Sequence, residues 1–156
     1  MTAKPTKILL IGYGNPGRLD DGLGPAMAEI LEKKKLPNVT VDSDYQLMVE
    51  DAAAIADHDV AIFVDASVDG SEPFYFKPVQ GKNEMSFSSH SAEPAQLVAL
   101  AEKLFGSNTK CYILGIRGYE FNEFGQRLSK KASENLEKAV EFIVSAISRE
   151  DFEMQV

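Results

Sequence analysis

The strongest constraint on the fold is a set of short runs that are apolar at every position: Ile8-Leu9-Leu10-Ile11, Val60 to Val64, and the centre of Lys110 to Ile116. A strand with one face in water alternates apolar with polar residues. An unbroken run of this length between turn residues predicts a strand buried on both faces, near the middle of a largely parallel sheet. Between the runs, apolar residues recur at three- and four-residue steps. Met27, Ile30 and Leu31 follow Pro25; Leu97, Leu100, Ala101 and Leu104 follow Pro94; and Leu128, Ala132, Leu136, Val140, Ile143 and Ile147 form the longest series. These steps predict helices with one inward stripe, each proline sitting in a first turn where a missing N–H costs nothing. A weaker unit lies between, a strand over Val39 to Asp42 and a helix around Leu47, Met48, Ala52 and Ile55.

Alternating strands and helices place the chain in the α/β class as a three-layer α/β/α sandwich. Phe74 to Val79 alternates, but Pro78 cannot donate to a ladder, so this strand belongs at an edge. No helix separates it from the strand before it, which makes it antiparallel to the others. With 156 residues, 44% of them hydrophobic, and no repeat or linker, residues 1–156 form a single domain.

The formal charge of -8, with no basic cluster larger than Lys33-Lys34-Lys35, argues against a nucleic-acid or anionic-membrane partner. Met1 to Lys7 lacks the apolar core of a signal peptide, and no run is long enough to span a bilayer, so the expected location is the cytoplasm. Cys111 is the only cysteine and lies in an apolar run, which predicts a buried structural thiol. The acidic tail after Arg149 is expected to fray.

The first apolar run ends in Gly12-Tyr13-Gly14-Asn15-Pro16-Gly17, which matches the glycine pattern of a dinucleotide site. In such a site the helix starts within the glycines and its free N–H groups hold the pyrophosphate. Here Arg18-Leu19-Asp20-Asp21-Gly22 intervenes, and two carboxylates beside a phosphate would repel it. Nucleotide binding by Gly12, Gly14 and Gly17 is therefore the weaker alternative. Asp20 and Asp21 each have an ordinary reading as cap of the following helix, with Asp20 the better candidate, but both cannot cap it. Asp65, after the second apolar run, could bond loop amides. His90, in the serine-rich stretch Gly81 to Ser91, could be a solvated or capping histidine. His58, before the third strand, reads as structural.

The strand, the Gly12-Tyr13-Gly14-Asn15 turn, the acidic Asp20-Asp21-Gly22, Val64-Asp65-Ala66 and Ser89-His90 together resemble the hydrogenase maturation proteases. These are endopeptidases that trim the C-terminal tail from the large subunit of nickel-iron hydrogenases. The resemblance implies a phosphorylase/hydrolase-like sheet of order 2-1-3-5-4 with strand 4 antiparallel, in agreement with the edge placement of Pro78. It carries the metal-contacting acid onto Asp21, where some members have Glu, the second acid onto Asp65, and the histidine onto His90.

With strand order 2-1-3, the switch point of the sheet falls between strands 1 and 3, and the loops carrying Asp21 and Asp65 leave at that edge. One imidazole and two carboxylates suit a borderline divalent cation such as nickel or zinc. The resemblance implies nickel supplied by the hydrogenase precursor itself, with Asp21, Asp65 and His90 both catalytic and metal-contacting. A non-catalytic nickel chaperone on the same fold is the remaining alternative. The segment Arg117, Tyr119 and Glu120 is expected at the same edge, gripping the precursor.

Overall fold

The computed structural model describes residues 5–82 and 93–153. Its strands are β1 (Ile8–Tyr13), β2 (Val39–Asp44), β3 (Val60–Ser67), β4 (Phe74–Pro78) and β5 (Lys110–Arg117). Its α-helices are α1 (Leu23–Lys34), α2 (Asp51–Ala56), α3 (Pro94–Phe105) and α4 (Lys130–Arg149). The strands form one sheet of order β2-β1-β3-β5-β4, all parallel except β4, which runs antiparallel to β5. Pro78 lies on the outer strand, as its missing donor requires.

The continuous apolar runs are buried because each feeds two cores. Ile8 and Leu10, Val60, Ile62 and Val64, and Tyr112, Leu114 and Ile116 face a layer made by α1 and α4. Leu9 and Ile11, Ala61 and Phe63, and Cys111 face the opposite layer, made by α2 and α3. Each fully buried Leu, Ile or Phe in these layers contributes about 1.5–3 kcal/mol relative to exposure. α1 packs on the sheet at backbone distance. A Cβ on Gly12 would lie 3.0 Å from the Ala28 Cβ and inside the Gly24 carbonyl group, and one on Gly24 would lie 2.6 Å from the Val64 carbonyl oxygen.

Several elements differ from the sequence reading. β3 runs to Ser67, two residues past Asp65, where the sequence ends the strand at Asp65 and starts a loop at Ala66. α4 begins at Lys130, with Ser129 as its cap, and Leu128 packs on the core from the preceding loop. Leu104 is 62% exposed: Leu97, Val98 and Ala101 are the inward face of α3, and Leu104 falls on its outer flank. The chain after α4 does not simply fray, because Phe152 is buried against Tyr112 and the Tyr112 hydroxyl donates to Glu153 at 2.9 Å. Among the described residues no helix is long and apolar enough to cross a membrane.

Candidate active site

The β1–α1 connection is not a phosphate cradle, because its amides are already used. The N–H of Gly14 donates to the Asp44 carbonyl at 3.1 Å, that of Arg18 to the Asn15 carbonyl at 3.0 Å, and that of Asp21 to the Arg18 carbonyl at 3.1 Å. Asn15 N–H donates to Asp21 Oδ2 and Gly17 N–H to Asn15 Oδ1, each at 2.8 Å. Leu19 and Asp20 donate across to Gly125 and Glu120, each at 2.9 Å. Pro16 has no N–H, so from Gly14 to Asp21 nothing remains for a pyrophosphate, and the dinucleotide alternative fails on this count. The glycines serve the close approach of α1 to β1 instead.

Asp20 is not the helix cap expected from the sequence. α1 starts at Leu23 behind a single 3-10 turn, Leu19–Gly22, and Gly22 supplies no side-chain cap. The Asp20 carboxylate is wholly buried. It accepts from the N–H groups of Tyr119 (2.8 Å), Glu120 (2.9 Å) and Ser129 (2.7 Å), and from the Ser129 hydroxyl (2.8 Å). Burial opposes its ionisation, but the bonds from Ser129, Glu120 and Tyr119 outweigh it and hold the carboxyl below its ordinary range. Asp20 thus ties the β1–α1 loop to the β5–α4 loop, and Asp21, half-buried, is the acid whose charge reaches Asp65.

Asp65 stands on the α2/α3 side of the sheet, in line with Gly115 of β5 and Tyr75 of β4 by strand register. Tyr13, one step beyond the Gly12–Val64 pair, closes the same row from β1. Asp65 Oδ1 accepts the Ala66 N–H at 2.8 Å, and the Tyr13 hydroxyl bonds to the same carboxylate. Burial raises the Asp65 carboxyl to about 6; the bonds from Ala66 and Tyr13 pull it down, while the charge of Asp21 pushes it further up. Burial also raises the Tyr13 phenol, with the Asp65 charge adding to it, so Tyr13 stays a proton donor. The charge of Asp21 is felt at Asp65, so the two acids lie within electrostatic reach of each other at the ends of the neighbouring strands β1 and β3.

His90 lies outside the described residues. Among the described residues, no group of three His, Cys, Asp or Glu side chains is close enough to hold a metal ion. The donor set still fits a cation in part: two carboxylates that repel each other, one of them resisting ionisation, would both be relieved by a positive charge between them.

Arg117 is committed to the fold. Its Nη1 donates to the Gly70 carbonyl at 2.8 Å, its Nε to the Gly118 carbonyl at 3.3 Å, and its guanidinium carbon sits 5.1 Å from the centroid of the Tyr119 ring. The Tyr119 hydroxyl donates to Glu72 and accepts from Asn135 Nδ2 at 3.0 Å, so this rim is an internal lattice joining the β3–β4 loop to α4. His58 is structural as expected: Nδ1 donates to the Ala54 carbonyl at 2.7 Å, far from the acids along β3. Burial, helped by Glu102, pushes the Cys111 thiol up to about 12, as suits a packed thiol and not a nucleophile. Sequence reasoning missed Tyr13 and Tyr75. The signal for Tyr75 was present in the alternation of Phe74, Tyr75 and Phe76, which puts it on the face opposite the two phenylalanines.

The fold and these paired acids define a doubly wound α/β protein with an acidic site at its switch point. The chain is 29% identical over 161 residues to a Methanocaldococcus jannaschii protein provisionally named a hydrogenase maturation protease, covering 94% of this chain and 99% of that one. Among solved structures it is similar to the NiFe hydrogenase maturation protease HycI from Thermococcus kodakarensis, with a TM-score of 0.70, 23% identity, and coverage of 92% of this chain and 93% of that one. It is also similar to the hydrogenase maturating endopeptidase HybD from Escherichia coli, with a TM-score of 0.66, 19% identity and the same coverage of 92% and 93%. No family profile matches the chain. The resemblance to the hydrogenase maturation proteases is thereby borne out, including the strand order and the antiparallel fourth strand.

Proposed function

We propose that this protein is an endopeptidase that removes the C-terminal extension of a nickel-iron hydrogenase large-subunit precursor after nickel has been inserted. The observation that carries this reading is the convergence of Asp21 and Asp65 from separate βα units at the switch point, in a chain similar along nearly its whole length to a hydrogenase maturation protease. Nickel enters as part of the substrate and not as a resident cofactor. Asp21, Asp65 and His90 would meet it, and a cation there can polarise the scissile carbonyl or activate a water.

The chain's own contribution is orientation. Asn15 N–H holds Asp21, and Ala66 N–H with the Tyr13 hydroxyl holds Asp65, so both carboxylates are fixed before substrate arrives. The net negative charge suits neither nucleic acid nor anionic membrane, and the cytoplasm is the proposed location.

The test is to incubate the protein with matched large-subunit precursor, nickel-loaded and nickel-free, and to read substrate mass. Loss of the C-terminal extension from the loaded form alone supports the reading. Tight nickel binding by the isolated protein, with the loaded precursor left intact, would replace it with the metal-chaperone alternative.

A further inference from the structure

Two phenols flank Asp65, and only one of them is occupied by it. Tyr13 spends its hydroxyl on the Asp65 carboxylate. Tyr75 reaches the same place from the other side because Gly115, the residue between them in the row, has no side chain. A Cβ at position 115 would overlap the Tyr75 ring and stand 2.7 Å from its hydroxyl oxygen. Gly70 and Lys77 also border the ring. A Cβ on Gly70 would lie 3.0 Å from Tyr75 Cδ2 and Cε2, and Lys77 Nζ sits 5.1 Å from the ring centroid. The two hydroxyls are near enough to sense each other and Asp65 electrostatically. Yet the Tyr75 hydroxyl makes no hydrogen bond among the described residues. A phenol beside the Asp65 carboxylate, half-buried and with no hydrogen-bond partner among the described residues, is a donor that a bound substrate can use.

We propose that Tyr75 is a catalytic residue whose hydroxyl donates a hydrogen bond to the carbonyl oxygen of the scissile peptide. This rests on the endopeptidase reading above and adds a residue to it. When water adds to the carbonyl carbon, the C=O π pair moves onto oxygen and the water proton passes to a carboxylate of the site. The oxyanion is then met by the Tyr75 O–H. When the pair returns, the C–N bond breaks and the amine leaves with the proton that the same carboxyl hands to its nitrogen. A phenol carries its proton at neutral pH, so Tyr75 remains a donor throughout. Being preorganised, it costs no reorientation as charge develops.

The test is steady-state cleavage of the nickel-loaded precursor by the full-length protein and by Tyr75→Phe. The ring and its contacts with Gly115, Gly70 and Lys77 remain, so the variant should melt with the wild type. The expected result is a fall in kcat of about a hundredfold with KM unchanged, as for removal of one oxyanion donor. Gly115→Ala, which pushes the ring aside while leaving its hydroxyl intact, should reproduce the loss. A Tyr75→Phe protein with wild-type kcat, or one that changes KM alone, overturns the assignment while the endopeptidase reading stands. Failure of the wild-type protein to cleave overturns both.

Discussion

Asp20 and Ser129, 109 residues apart, are joined through both carboxylate oxygens: Oδ1 accepts the Ser129 N–H at 2.7 Å and Oδ2 the Ser129 hydroxyl at 2.8 Å. The same serine caps α4, its Oγ accepting the Ala132 N–H at 3.2 Å. One buried carboxylate therefore fixes the start of the last helix and the loop that presents Asp21. Neighbouring acids in the sequence have divided the work, Asp20 turning inward to hold the fold and Asp21 remaining half-buried with its charge felt at Asp65.

Asp20→Asn should be the more damaging of the two changes to the fold, because the amide sets an N–H2 donor against a ring of donors. Leaving a buried group mismatched in this way costs about 3 kcal/mol, a fall in melting temperature of roughly 10 °C for a domain of this size. The carboxyl is held below its ordinary value, so its contribution is complete above the unfolded value near 4 and is lost as pH falls through the lower folded value. Melting curves from pH 7 to pH 3 should therefore show the wild type converging on the variant in acid. A variant as stable as the wild type at pH 7 would contradict this role.

Gly12→Ala should separate α1 from β1. The new methyl would enter the Gly24 carbonyl group, which is helix backbone and cannot move like a side-chain tip. Overpacking of this kind costs about 1–3 kcal/mol or more, readable as a lowered denaturant midpoint with an unchanged m-value. Equal midpoints would mean that the helix shifts at no cost.

The sheet was legible because its signal is local and redundant. Ile8 to Ile11 and Val60 to Val64 are apolar on both faces, and Pro78 excludes its strand from the centre, so class, layers and edge follow from periodicity and one missing N–H. Asp20 was not legible. Beside a helix start, an acid that caps and an acid that reaches Ser129 look alike in sequence, and only the folded return of the β5–α4 loop separates them. Leu104 failed for a related reason: its helical spacing is correct, but the stripe is shared with Val98, and α3 turns its last residues outward. Tyr75 needed the register with Gly115, which sequence spacing does not provide.

Arg117→Ala should weaken the fold more than the chemistry. The side chain satisfies the carbonyls of Gly70 and Gly118 and lies over Tyr119, so its removal frees the β3–β4 loop. A loss of about 1–2 kcal/mol is expected from the bonds to a charged donor. Cleavage per folded molecule should change little at low temperature. A large rise in KM at unchanged melting temperature would return this arginine to the precursor-gripping role read from the sequence.

The acids of the site should show the opposite balance, activity lost and stability kept or gained. Asp21→Asn retains an oxygen to accept the Asn15 N–H at the position now 2.8 Å away, so the melting temperature should stay near normal while cleavage is abolished. Asp65 goes further, because its carboxyl is raised to about 6 by burial and by Asp21 against the pull of Ala66 and Tyr13. A carboxyl raised in the folded state favours folding when protonated. The stability it withholds is absent near pH 4, grows as pH rises through about 6, and is constant above. Asp65→Asn removes that ionisation while leaving an acceptor for Ala66. At pH 7.5 it should melt above the wild type, by roughly 5 °C for a gain on the order of 2 kcal/mol, and at pH 4 the two should coincide. His90→Ala should lose cleavage as well, by the role carried over from the resemblance. The measurement is a pair of melting curves at the two pH values beside a cleavage assay for each variant. An Asp65→Asn protein that melts below the wild type at pH 7.5 would make this carboxylate a structural acceptor, and an Asp21→Asn protein that cleaves at the normal rate would remove the first acid from the site.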